Sequence, residues 1–193
     1  MLKATNNPPN IVVIDNFYQN VDEIRQRALA AHKYPHGNWK GRRSDMIPME
    51  ETEALRPIFE RALGINLDHV HIRSHFHVHD KDTPVVYHQD YQRWAAVVYL
   101  VPNAPLNCGT SIWKRKYNNG HFQDGEGPVL DGRYWDNVDS VGNVYNRCII
   151  FNGHLHHSVS GYFGNTEEDR RLVQLFFFDP KSGNPDDGFK MMM

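Results

Sequence analysis

At 193 residues the chain is long enough to bury a sizeable core in one domain and short for two. With 21 Lys and Arg against 23 Asp and Glu, its formal net charge of -2 supplies no basic field, which argues against nucleic acid or an anionic membrane surface as partner. Cys108 and Cys148 are too few for a disulfide framework, and no run approaches the ~20 apolar residues of a membrane span or the apolar core of a signal peptide, so a soluble cytoplasmic protein with buried thiols is expected.

The β-branched run Ile11-Val-Val-Ile14, closed by Asp15-Asn16, predicts a first strand. Asn20 stands three residues before Glu23 in the manner of a capping box, and Val21, Ile24, Ala28 and Ala31 recur at helical spacing up to about His32. Residues 34–48 mix Pro, Gly, Trp39 and the pair Arg42-Arg43 and read as a loop of the kind that lines sites. A second helix fits Ala54 to Leu63, with Leu55, Ile58, Phe59 and Ala62 on one stripe and Gly64 just past its end.

From Asp68 to His79 the period becomes two. Val70, Ile72, Phe76 and Val78 fall on one face, and His69, His71, Arg73, His75, His77 and His79 on the other. This predicts a long strand whose imidazole face is largely solvated, with one or two of Arg73, His75 and His77 reaching the mouth of a barrel. Trp94 to Val101 and Thr110 to Trp113 read as further strands, Tyr117 to Asn143 as a long irregular insertion, and Val144 to Phe151 and Leu172 to Phe178 as two buried strands. Two helical segments followed by seven or eight strands predict an α+β domain built on an antiparallel sandwich or barrel.

The chemistry concentrates in Tyr87-His88-Gln89-Asp90. His88 and Asp90 lie two apart, so on extended backbone their side chains point to one side and can grip one ion. Two imidazoles and one carboxylate leave three metal positions open, the ligand set of Fe(II) oxygenases rather than of a closed structural zinc site. The second imidazole has three candidates in Phe151-Asn-Gly-His-Leu-His-His157: His154, His156 and His157. His157 is preferred because Ser158-Val159 after it opens a returning strand, with His156 as the alternative. Arg170 and Arg171 open the last strand, where only one can point inward; Arg171, next to the apolar run, is the choice, and its planar fork suits a dicarboxylate.

Taken in order, His88-x-Asp90, Tyr99-Leu100 ending an apolar strand, Gly109-Thr110, Phe151 with His157 six on, and Arg171 resemble the Fe(II)/2-oxoglutarate-dependent dioxygenases, in their small prolyl-hydroxylase-like branch. The opening Val13-Ile-Asp-Asn-Phe-Tyr18, with Asp22 and Arg25 after it, is similar to stand-alone members of that branch, and the resemblance spans about residues 11–179. It implies a double-stranded β-helix, or jelly roll, with the N-terminal helices packed on one sheet: a single dioxygenase domain over 1–193 whose tail from 180 is loosely ordered. It carries the iron roles onto His88, Asp90 and His157 and the distal-carboxylate role onto Arg171, with Tyr99 and either His75 or His77, where the family often has a tyrosine, as further co-substrate contacts. Fe(II), 2-oxoglutarate as co-substrate and ascorbate as a candidate reductant are the implied cofactors. The implied reaction is hydroxylation of a C–H bond of a small molecule or peptide, with release of succinate and carbon dioxide.

Two other functions use the same residues. A cupin-like isomerase or metal-dependent hydrolase would keep the His/Asp/His site without 2-oxoglutarate, and a binding module would use the histidines structurally. Trp39, Arg42, Arg43, residues 113–117 and Tyr134-Trp135 are candidate substrate contacts, although loop aromatics also pack simply onto a domain.

Overall fold

The computed structural model describes residues 10–35, 41–116 and 130–180, so the expectations for Trp39, Tyr117 and the tail from residue 181 lie outside the described residues. In chain order the first strands are β1 (Ile11–Ile14), β2 (Tyr34–Pro35), β3 (Arg42–Arg43), β4 (Arg73–His79) and β5 (Trp94–Tyr99). They are followed by β6 (Thr110–Arg115), β7 (Trp135–Val141), β8 (Cys148–Asn152), β9 (His156–Val159) and β10 (Arg171–Phe178). The helices are α1 (Val21–Ala30), α2 (Met49–Glu53) and α3 (Arg56–Leu63). Seven strands form one sheet in the order β1-β8-β5-β10-β4-β3-β2, and three form a second in the order β7-β6-β9. All pairings within them are antiparallel.

The period-two pattern divides the large sheet into two apolar faces, each with its own cover. On the outer face Val98, Ile150, Leu172, Phe176 and Phe178 pack against Phe59 and Leu63 of α3 and Ala28 of α1. Phe59 sits 5.4 Å from the Phe176 ring and 5.1 Å from Phe178, so α3 is anchored by one fully buried aromatic. On the inner face Ala95, Val97, Tyr99, Ile149, Phe151 and Val173 meet Ile112 of the small sheet. Two facing antiparallel sheets with helices outside the larger one make an α+β double-stranded β-helix. No described helix is long and apolar enough to cross a membrane.

Several boundaries differ from the sequence expectation. The presumed loop 34–48 contains β2 and β3, drawn into the sheet because Arg42 and Arg43 pair with Val78 and His77 of β4. The helix expected over 54–63 forms as α3 from Arg56, preceded by the short helix α2, which was not expected, and Gly64 does take the left-handed conformation, φ 64°, that closes α3. The insertion contains β7, paired with β6 over residues 110–115. At Asn20 the amide donates to the Glu23 carboxylate at 2.8 Å, so the side chain makes no cap to the backbone.

The largest correction concerns β4. It begins only at Arg73, because His69 adopts φ 60° and turns the chain before it. His75, His77 and His79 are 4–6% exposed, not solvated, because Phe177 packs on His75, Tyr162 on His79, and the chain at Gly41 lies against His77 and His79. Burial, and then the neighbouring positive groups, hold His77 and His79 well below the ordinary imidazole range.

Because their folded pKa values are depressed, the unfolded chain takes up protons first as pH falls below ~6.5, and the stability present above that value is lost. Each such histidine steepens the loss by at most about 1.4 kcal/mol per pH unit. Urea unfolding of chelator-treated protein should therefore show a marked fall in midpoint between about pH 7 and 5. A flat profile would mean that these imidazoles are solvated after all.

Candidate metal centre

His88 and His157 are held opposite one another by their own backbones. The His88 N–H donates to the His157 carbonyl at 3.0 Å, and the His157 N–H returns a bond of 2.8 Å to His88, forming an isolated bridge between the loop before β5 and β9. Directly opposed residues of an antiparallel pair project to one side, and the two rings lie 4.3 Å apart between centroids. Asp90, two residues on, joins them on that side, its N–H bonded to the Gly153 carbonyl at 2.7 Å. Glycine is required there, since a Cβ at Gly153 would stand 2.3 Å from the Gln92 carbonyl oxygen and 3.0 Å from the Asp90 Cβ.

The hydrogen bonds also set the tautomers. His88 Nδ1 lies 3.0 Å from the Val86 carbonyl oxygen and His157 Nδ1 2.8 Å from that of Leu155. A carbonyl only accepts, so each Nδ1 carries the proton and each Nε2 presents a lone pair. Those lone pairs face a carboxylate: His157 Nε2 is 3.3 Å from Asp90 Oδ2, and His88 Nε2 is 3.7 Å from Oδ1. Although burial opposes its ionisation, the His157 and His88 imidazoles and Arg43 pull the Asp90 carboxyl below its usual range. Burial holds His88 down to about 4. An ionised oxygen facing two imidazole Nε2 atoms is an arrangement that a cation among them would satisfy.

One potential ligand atom from each of His88, Asp90 and His157 lies within 4.8 Å of the others. They form the one such group among the described residues. The donor set fits a divalent ion of intermediate hardness and leaves half of an octahedral shell open. The other histidine candidates turn elsewhere. His154 Nε2 lies 3.1 Å from the Tyr91 carbonyl oxygen, and the His156 ring packs at a tilt against Trp135 with centroids 4.7 Å apart.

The three side chains border a cavity of about 100 Å³, several times the ~10–15 Å³ that one water needs. Arg171 lines it too, and at 2% exposure is buried at the start of β10. Its Nε donates to the Cys108 carbonyl at 3.2 Å and Nη2 to that of Gly109 at 3.4 Å, while its Cζ lies 5.7 Å from the centre of the Tyr99 ring. Among the described residues no carboxylate comes within ion-pairing distance of it. Arg170, on the opposite face, instead joins the surface network of Asp80 and Glu167 at 3.2 and 2.7 Å.

The remaining candidates take different places. His77 lines the cavity, whereas His75 does not and stacks on Phe177 at 5.9 Å. Tyr99 lies beneath Arg171, its hydroxyl 2.8 Å from Thr110 Oγ1. Trp113 and Trp135 both pack on Tyr87, at 5.0 and 5.4 Å, buttressing the loop that bears His88. Sequence reasoning did not select His79 and Tyr162, which also line the cavity with rings 4.9 Å apart. The period-two run carries His79 onto the face of His77, but no local pattern marks Tyr162. A larger open groove of about 560 Å³, which includes Asp80 and Arg170, contains none of the three ligand-bearing residues.

Adding Ni(II) to chelator-stripped protein at ~100 times its Kd should stabilise the fold by about 2.7 kcal/mol, read as a rise in melting temperature. The rise should persist in His156→Ala and vanish in His157→Ala and Asp90→Ala. The reverse pattern would displace the centre to His156.

No family model and no curated protein sequence matches this chain. Solved structures do resemble it. HygX from Streptomyces hygroscopicus, solved with nickel, 2-oxoglutarate and hygromycin B bound, superposes with a TM-score of 0.60 at 13% identity, over 90% of this chain and 84% of that one. A 2OG-Fe(II) oxygenase family oxidoreductase from Burkholderia pseudomallei gives 0.58 at 14% identity, over 90% and 86%. A Pseudomonas putida prolyl-4-hydroxylase gives 0.52 at 14% identity, over 90% and 94%. The chain thus has the double-stranded β-helix fold found in 2-oxoglutarate- and iron-dependent oxygenases.

Proposed function

We propose that this protein is an Fe(II)- and 2-oxoglutarate-dependent oxygenase that hydroxylates a C–H bond of a small-molecule or peptide substrate. One observation carries the reading: a single small cavity is bordered both by a convergent His/Asp/His group and by a buried arginine that has no carboxylate partner among the described residues. A buried guanidinium bonded only to neutral carbonyls is costly, and a dicarboxylate anchored at the metal would complete it. The similar fold of HygX, solved with nickel and 2-oxoglutarate, supports the assignment.

His88, Asp90 and His157 would hold the ion, leaving positions for a chelating 2-oxo acid and for dioxygen. When bound, Fe(II) and 2-oxoglutarate supply oxidative decarboxylation to succinate and carbon dioxide, coupled to oxygen transfer into a C–H bond. The protein's own contribution is placement and dryness. Arg171 fixes the far carboxylate by two-point donation, and Tyr99 and the Cys108 and Gly109 carbonyls hold Arg171 in place. Val97, Phe151, Leu175 and Phe177 give the chamber apolar walls that exclude water. A cupin-like or hydrolytic use of the same ligands leaves Arg171 without a task, and no further histidine or carboxylate joins the group among the described residues.

Calorimetric titration of 2-oxoglutarate into Ni(II)-loaded protein tests this. Arg171→Ala should cost about 2–5 kcal/mol of 2-oxoglutarate affinity and leave Ni(II) affinity largely intact. If the ion is lost while 2-oxoglutarate binding is kept, Arg171 does not hold the distal carboxylate.

A further inference from the structure

His79 ends β4 directly opposite the residue that opens β10. In the register of that pair Arg171 stands across from His79, Val173 from His77 and Leu175 from His75. Opposed residues of an antiparallel pair share a face, with Cβ atoms about 4.5–5.5 Å apart, so of the three imidazoles His79 is the one set beside Arg171. Both residues are buried, and both border the cavity. Strand geometry also fixes which end of the cavity they occupy. The Arg171 guanidinium lies 5.7 Å from the centre of the Tyr99 ring, whose hydroxyl meets Thr110 at 2.8 Å. Thr110 pairs with Val159 of β9, two residues past His157. The guanidinium thus stands one two-residue step, ~7 Å along the strand, from the row of His157, a gap that a five-carbon diacid can bridge.

The His79 ring is held in place and yet incompletely bonded. Tyr162 packs on it with centroids 4.9 Å apart, and the chain at Gly41 lies so close that a Cβ there would meet His79 Cδ2 at 2.8 Å. His79 Nδ1 is nevertheless buried without a hydrogen-bond partner. His88 and His157 differ in this respect, since a backbone carbonyl fixes the Nδ1 proton of each. A buried polar atom left unpaired is costly, so a ligand group that pairs with this imidazole is favoured. Arg171, in turn, uses two of its five N–H donors on the Cys108 and Gly109 carbonyls. An anion placed here meets the remaining guanidinium donors and the imidazole N–H together. A carboxylate, with two oxygens and about four lone-pair sites, accepts from both.

We propose that His79 is a co-substrate-binding residue, which donates a hydrogen bond to the distal carboxylate beside Arg171 and so helps the site select 2-oxo diacids over 2-oxo monoacids. This rests on the oxygenase reading given above, and it assigns to His79 the contact that the sequence suggested for His75 or His77. His75 stacks on Phe177 outside the cavity lining, and His77 stands opposite Val173, one step away from Arg171.

Ni(II)-loaded protein, which cannot turn over, is titrated calorimetrically with 2-oxoglutarate and with 2-oxopentanoate, the same chain without the distal carboxylate. His79→Phe, which keeps a ring against Tyr162 but removes the N–H, should weaken 2-oxoglutarate about ten- to hundredfold and change 2-oxopentanoate and Ni(II) binding by less than about twofold. His79→Gln, which restores a donor, should recover part of the loss. In wild-type protein loaded with diamagnetic Zn(II), the His79 ring nitrogen resonances should shift on adding 2-oxoglutarate and not on adding 2-oxopentanoate, a readout that needs no variant. Unchanged 2-oxoglutarate affinity in His79→Phe overturns the proposal, as does an equal loss for both acids, which marks a structural role. A loss confined to Tyr162→Phe also overturns it and gives the contact to the tyrosine. Failure of 2-oxoglutarate to bind the Ni(II)-loaded wild type is a separate result, because it strikes the oxygenase reading itself and the proposal with it.

Discussion

The site depends on two backbone hydrogen bonds between His88 and His157. They join the loop before β5 to the edge of the small sheet, and they set the facing of both imidazoles before any ion is considered. Everything else at the centre refines that pairing. The carbonyls of Val86 and Leu155 orient the rings, Gly153 admits Asp90, and the Tyr87, Trp113 and Trp135 cluster braces the loop from behind. The geometry of the candidate centre is thus built from main chain and rigid aromatics rather than from long flexible side chains, which suits a metal site whose ligands need fixed distances.

The large sheet plays two parts that its alternation keeps apart. Its outer face is a mainly apolar platform that the helices cover, with one buried hydrogen-bonded row, Tyr18 to Gln174 to Ser74, set into it. Its inner face is apolar beneath the small sheet, and on β4 it becomes a row of uncharged imidazoles beside the arginines. Neutral imidazoles there are economical, since they add polar lining without adding to the positive charge of Arg43 and Arg171.

Much of this was legible in the sequence because it followed from period and spacing. The step of two between His88 and Asp90, the apolar runs that became β5, β8 and β10, and the helix closed by Gly64 are local signals. The double-stranded β-helix itself came from the ordered motifs rather than from any single strand. What stayed hidden was set by distant partners. Nothing local shows that Phe177, Tyr162 and the chain at Gly41 pack against these rings, so buried His75, His77 and His79 looked like a solvated face. Arg42 and Arg43 looked like loop residues because the ladder that makes them a strand lies on β4, more than thirty positions away.

The central claim is that one cavity assembles a metal and a 2-oxo acid together. The most direct measurement is an anaerobic titration of apo-protein with Fe(II) and 2-oxoglutarate, followed by the weak visible charge-transfer absorption of the chelate. A band that requires both components and is absent in His157→Ala is expected. A protein that binds Fe(II) yet develops no band when 2-oxoglutarate is added would contradict it.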